Sequence, residues 1–116
     1  MTVSELSQRL DARMLTECGA DREVLSGLCC DVISRAMTRG TRGMAWITMQ
    51  ANMNALAAAA MTGAACLIFS DGMRPEADVT ARAEHEGIAL LTSDAGAFEL
   101  AGRLYEAGIR GEEQKT

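Results

Sequence analysis

MAWITMQANMNALAAAAMTGAACLIFSDG, residues 44 to 72, reads as strand, polar turn, short helix, strand and polar turn. The apolar run Met44-Ala45-Trp46-Ile47 gives way at Thr48 to a turn carrying Gln50, Asn52 and Asn54. The second run, Ala65 to Phe69, gives way at Ser70-Asp71-Gly72. Continuous rather than alternating apolar runs mark strands covered on both faces, and such strands belong to parallel sheets. Between them Ala55 to Met61 is a helix of the best helix-forming residue, capped by Asn52 or Asn54 and stopped at Thr62-Gly63.

Downstream the pattern repeats. Pro75 sits where a helix begins, with Glu76 and Asp78 in its first turn, and Gly87 closes that helix. Ile88 to Leu91 is a buried strand ended at Thr92-Ser93-Asp94. Ser93 or Asp94 is expected to cap a last helix carrying Phe98, Leu100, Ala101, Leu104 and Tyr105. From residue 44 onward the order is β-α-β-α-β-α. It predicts an α/β fold: one three-layer-like domain whose mainly parallel sheet is built from right-handed βαβ units.

Upstream, Val3, Leu6 and Leu10 are spaced for an amphipathic helix, with Thr2 or Ser4 near its cap. Arg13 to Glu17 and Val24 to Leu28 read as short strand pieces around a turn at Gly19 to Arg22. Asp31 to Met37 reads as a helix capped by Asp31, with Val32, Ile33, Ala36 and Met37 on one face. Thr38 to Gly43 is a basic, Gly-containing loop without the GxxxxGK[ST] spacing that wraps phosphates. The expected domain is 1–109, and RGEEQKT, 110–116, is expected to be a flexible C-terminal tail.

A net charge of -5 argues against nucleic acid or an anionic membrane as the main partner, because phosphate backbones are bound by a surplus of Lys and Arg. Lacking a long apolar run or signal-like start, the chain reads as cytoplasmic. Cys18, Cys29, Cys30 and Cys66 lack metal-ligand spacing, so reduced and mostly buried thiols are expected, with neither metal nor cofactor. His85 lies in the charged stretch Arg82 to Glu86, which fits a solvated helix face. A core so poor in aromatics suggests a homodimer.

Parallel strands end at one rim, so Thr48, Ser70 and Thr92 should lie side by side. The turns that follow would add Gln50, Asn52 and Asn54; Asp71 and Gly72; and Ser93. Hydroxyls, amides and helix N-termini there suit a small polar ligand, although the same residue types also cap helices. Asp71 would repel an anion unless a cation or an Arg stands nearby. Acid, base and nucleophile do not occur with interpretable spacing, so the chain is not read as an enzyme; a small enzyme using Asp71, Asp94 or His85 is the least favoured alternative.

With these turns in view, the chain resembles the DRTGG domain family over roughly residues 2 to 109. The stretches that carry the likeness are WITMQANMNALAAAA, CLIFSDGMRP, EHEGIALLTSD and AFELAGRLYEAGI. It is most similar to small stand-alone members that accompany iron-only hydrogenases, and is related to the N-terminal domain of HPr kinase/phosphorylase. The family's Asp-Arg pair aligns with Ala51 and Asn52, and its Thr-Gly-Gly with Ser70, Asp71 and Gly72. The resemblance implies a non-catalytic regulatory or assembly module, commonly dimeric. It would take a nucleotide or phosphorylated metabolite, or a partner protein in redox metabolism. A purely structural dimerisation domain is the alternative.

Overall fold

The computed structural model describes residues 1–111. Its elements run α1 (Val3–Leu10), β1 (Arg13–Met14), β2 (Ser26–Cys29), α2 (Ile33–Arg39), β3 (Met44–Thr48), α3 (Met53–Thr62), β4 (Cys66–Phe69), α4 (Ala77–Glu86), β5 (Ala89–Thr92) and α5 (Ala97–Glu106). The sheet order is β1-β5-β4-β3-β2, parallel throughout except for β1, which lies antiparallel to β5. The predicted α/β fold with a mainly parallel sheet is therefore what the chain adopts.

Every residue of β3, β4 and β5 is buried, as the continuous apolar runs require. Three successive crossovers, β2 to β3 to β4 to β5, step the same way along the sheet. Crossovers of one hand then put α2, α3 and α4 on one face. The core divides accordingly. Trp46, Leu67, Phe69 and Leu90 meet Ala36, Leu56, Ala59, Val79 and Ala83 of those helices. Ile47, Ile68 and Leu91 on the reverse face meet Leu6 and Leu10 of α1 and Leu100 and Leu104 of α5. The small side chains of α3 let it lie close to the sheet while burying Ala55, Leu56, Ala58 and Ala59.

Several local expectations are corrected. Asp31 does not cap α2; that helix starts after Val32 with no side-chain cap, because the Asp31 carboxylate is turned toward β3. Val32 and Met37 are 58% and 41% exposed, leaving Ala36 as the buried contact of α2. The helix continues to Arg39, so the basic loop is only Gly40–Gly43, and it lies at the N-terminal edge of β3, away from the polar turns. The strand sought at Val24–Leu28 is Ser26–Cys29, and the one at Arg13–Glu17 is two residues long. α4 begins at Ala77 after its N-cap Glu76, so Pro75 precedes the helix and of the two acidic residues only Asp78 is in the first turn. Gly96, not Ser93 or Asp94, precedes α5, because Ser93 Oγ accepts from the nearer Ala95 N–H at 3.1 Å. On α5 Leu100 and Leu104 point inward, whereas Phe98 and Tyr105 point out.

The start of the expected tail is tied down: Gly27 N–H donates to Arg110 O at 2.9 Å, and the Arg110 guanidinium stacks over the Tyr105 ring. The expectation for residues 112–116 lies outside the described residues. Among the described residues no helix is long and apolar enough to cross a membrane.

Candidate functional site

The polar turns do converge on one rim. Thr48 pairs in register with Phe69, and Phe69 with Thr92, so the three parallel strands end level. Ser70 N–H donates to Thr48 O at 3.2 Å and Ser93 N–H to Phe69 O at 3.0 Å, carrying the ladder one residue beyond the strands.

What those groups do differs along the rim. At β3, Asp31 Oδ1 accepts from Thr48 Oγ1 (2.9 Å) and from Met49 N–H (2.7 Å). Asn52 Oδ1 caps α3 by accepting from Ala55 N–H at 2.9 Å, and its amide donates to Gln50 Oε1 at 3.0 Å. Asn54 is exposed in the first turn of α3. These residues are committed to closing the turn and starting the helix.

At β4 and β5 the chain takes two directions. The turn after β4 leads to α4 on one face, and the turn after β5 leads to α5 on the other. A crevice forms at a parallel sheet's carboxyl end wherever neighbouring loops diverge in this way. Here the two loops are stitched together: Asp71 N–H donates to Ala95 O (2.9 Å) and Gly72 N–H to Ser93 O (2.8 Å). To point both amides across the gap, the backbone turns left-handed, with φ of 58° at Asp71 and 70° at Gly72. Asp tolerates that region better than most residues, and Ser70 Oγ steadies it by donating to Asp71 Oδ2 at 2.7 Å. A Cβ at Gly72 would stand 3.1 Å from Asp94 Oδ1. Ser70, Asp71 and Gly72 thus build the stitch.

The open concavity lies one step further, where β1 lies beside β5. A cavity of ≈ 260 Å³ is lined by Asp11, Ala12, Arg13, Arg74, Thr92, Ser93 and Asp94. Antiparallel pairing of Arg13 with Thr92 brings the first guanidinium to the carboxyl end of β5. Thr92 Oγ1 donates to Met73 O at 2.8 Å, which fixes the loop carrying Arg74. Ser93 is buried, and its hydroxyl proton is left over after its oxygen accepts from Ala95. The ion pairs among the described residues are Met1–Glu23 and Arg82–Glu86, so neither Arg13 nor Arg74 is in direct contact with a carboxylate, although Asp11 and Asp94 stand on the same wall.

Of the nine residues expected to bind, the structure brings Thr92 and Ser93 to this cavity. Thr48, Gln50, Asn52 and Asn54 stand at the β3 end, and Ser70, Asp71 and Gly72 form the stitch between. Arg13 and Arg74 are the groups that sequence reasoning missed. Arg13 reaches the rim only through a two-residue antiparallel strand, and Arg74 is separated from it by 61 positions. The one available signal was that an anion near Asp71 would need a cation or an Arg beside it.

The other chemistry-bearing groups do not gather there. His85 is exposed near the end of α4, toward the amino-terminal ends of the strands and so away from Asp71 and Asp94 at their carboxyl ends. Of the cysteines only Cys66 is buried, which corrects the expectation of mostly buried thiols; burial pushes its thiol up to about 12. Cys29 is exposed at the end of β2, and its thiol is raised by desolvation and then by the nearby Asp31 carboxylate, so it is not an activated nucleophile. Among the described residues no three His, Cys, Asp or Glu side chains are placed to hold a metal ion.

Residues 5–107 match the DRTGG domain family. The chain belongs to that family. No curated protein sequence matches it. Among solved structures this DRTGG domain is similar to the CBS and DRTGG domains of the regulatory region of a Clostridium perfringens pyrophosphatase, in complex with the activator diadenosine tetraphosphate. The superposition has a TM-score of 0.68 at 13% identity and covers 89% of this chain. It covers 45% of the pyrophosphatase chain, so this chain spans less than half the length of that neighbour.

Proposed function

We propose that this DRTGG domain is a non-catalytic regulatory module that binds a small phosphate-bearing ligand, of the nucleotide class, in the cavity between β1 and the end of β5. The observation that carries the reading is the pair Arg13 and Arg74, two guanidiniums without carboxylate partners on the wall of one concavity. Guanidinium forks suit phosphate oxygens, and neither of the two here is held in an ion pair, although Asp11 and Asp94 keep the formal charge of the lining balanced. Ser93 supplies a neutral donor beside them, and Asp11 and Asp94 can accept from ligand hydroxyls or amines. The activator in the related pyrophosphatase complex belongs to the same chemical class, which supports the choice of probe. Neither comparison supports the expected redox or hydrogenase partner, and the proposal does not include one.

The test is calorimetric titration with ATP, diadenosine tetraphosphate and inorganic phosphate, on the wild type and on the double variant Arg13→Gln/Arg74→Gln. Both side chains are exposed, so the variant keeps the fold. Binding by the wild type that is lost in the variant is the expected result. Equal binding by both, or none by the wild type, refutes the reading.

A further inference from the structure

Carboxylates are spread unevenly along this chain. It has 16 Asp and Glu, yet from Val24 to Ser70 the only one is Asp31, whose oxygen is engaged by Thr48 and Met49. That stretch makes β2, α2, β3, α3 and β4, so the β2 side of the molecule is built almost without negative charge. It does carry Arg35, Arg39 and Arg42, all exposed, and none of them is in an ion pair among the described residues.

Helix α2 gains little from two of these. Arg35 lies in its first turn, where the helix dipole disfavours a cation. Arg39 suits the last turn but stands at i+4 from Arg35, where like charges repel. On α4, by contrast, Arg82 meets Glu86 at i+4, 3.1 Å away. Two guanidiniums a turn apart, with no carboxylate of the described chain in contact, present a charge that only a partner can match.

The surface around them is concave and partly apolar. Val32, 58% exposed, lines a hollow of ≈ 370 Å³ on the outer side of α2 together with Ser34, Arg35, Thr38 and Arg39. Arg39 also lines a second hollow, of ≈ 200 Å³, with Leu28, Thr41 and Met44 at the outer edge of β2. The two adjoin at one guanidinium. Valine and leucine beside arginines fit the mixed carboxylate and apolar side chains of a protein segment, whereas a phosphate backbone would use the charge alone.

We infer that the outer side of α2 docks an acidic segment of a partner protein, its carboxylates on Arg35 and Arg39 and an apolar side chain against Val32. This surface lies at the β2 edge of the sheet, the opposite edge from the cavity between β1 and β5, and does not rest on that site.

Fluorescence anisotropy on the full chain tests it. The probes are a fluorescein-labelled peptide of repeated Asp-Glu-Leu units, the same peptide with Lys in place of each acid, and labelled oligothymidylate. The proteins are the wild type, Arg35→Gln/Arg39→Gln, Val32→Ser, Arg13→Gln/Arg74→Gln and Glu112→Gln/Glu113→Gln, with circular dichroism confirming that each is folded. Val32 and the four arginines are exposed, so replacing them removes no core contact. The wild type is expected to bind the acidic peptide and not the basic one. The dissociation constant should rise at least about tenfold in Arg35→Gln/Arg39→Gln and less in Val32→Ser, and stay unchanged in Arg13→Gln/Arg74→Gln. No binding by the wild type, equal binding by Arg35→Gln/Arg39→Gln, or weakening in Arg13→Gln/Arg74→Gln alone overturns the inference. So does oligothymidylate bound as tightly as the acidic peptide. Binding that appears only in Glu112→Gln/Glu113→Gln would assign these arginines to the chain's own carboxylates, and overturns it as well.

Discussion

Replacing Asp31 with alanine should weaken the whole domain, although Asp31 is an exposed residue outside any helix or strand. Its Oδ1 accepts from the Thr48 hydroxyl at 2.9 Å and from the Met49 amide at 2.7 Å, holding the end of β3 where the chain turns toward α3. Hydrogen bonds to a charged group contribute about 1.5–3 kcal/mol each, but the carboxylate is open to water, which discounts both. Met49 can find water when the carboxylate is gone. Thr48 is 1% exposed and cannot; its oxygen still accepts from Gln50 N–H at 3.1 Å, but its proton is left without an acceptor, and that cost remains. Together these give a loss of about 1–2 kcal/mol, which at a urea slope of ~1–3 kcal/mol/M moves the unfolding midpoint down by roughly 1 M. Asp31→Asn keeps an acceptor oxygen and should recover about half of the loss. Urea unfolding followed by circular dichroism measures all three chains. An alanine variant within about 0.3 kcal/mol of wild type would show that the carboxylate is not what closes this rim.

Trp46 is fully buried on β3 and its Nε1–H donates to Cys30 O at 2.8 Å; Trp46→Phe loses that bond and part of the ring, so guanidinium unfolding should show a loss of about 2–3 kcal/mol, and a smaller change than about 1 kcal/mol would contradict the packing. Gly40→Ala places a Cβ 2.5 Å from Ala36 O and 2.7 Å from Met44 Cε, and should cost about 1–3 kcal/mol in the same assay; a neutral variant would mean that the loop yields freely. Glu84 accepts from the amides of Glu17 and Cys18, and the Glu17 bond chiefly holds its pKa below the ordinary 4.5. A depressed folded pKa contributes stability that is present above 4.5 and lost as pH falls through the lowered value, so Glu84→Gln should flatten the acid limb of the stability profile below 4.5. Identical slopes for variant and wild type would rule that out.

The central sheet was legible because its signal is local and redundant. Met44–Thr48, Cys66–Phe69 and Ala89–Thr92 are each apolar throughout, and each is followed by a polar turn. Asn52 and Gly63 bound α3 in the way such residues ordinarily do. What escaped depends on distant partners. Two residues of β1 carry no periodicity; they are a strand only because β5 lies beside them. Asp31 looks like a helix cap until β3 presents a hydroxyl and an amide to it. Phe98 and Tyr105 fit a helix as well as Leu100 and Leu104 do, and only the position of the sheet decides which pair faces inward.

The candidate site was half legible for the same reason. Register made Thr48, Ser70 and Thr92 share a rim, and they do. Their further contacts then assign different tasks to them: Thr48 to Asp31, Ser70 to the stitch, Thr92 to the wall of the cavity. The two guanidiniums on the cavity wall come from Arg13 and Arg74, neither of which belongs to a recognisable motif.

The most direct test of ligand binding at the β1–β5 cavity is a backbone amide NMR titration of the full chain with ATP. Binding there predicts saturable shifts concentrated at Asp11–Arg13, Met73–Arg74 and Thr92–Ala95, with Asn52–Ala55 at the β3 end unmoved. Shifts centred on that β3 end, or no saturable shift at all, would contradict it.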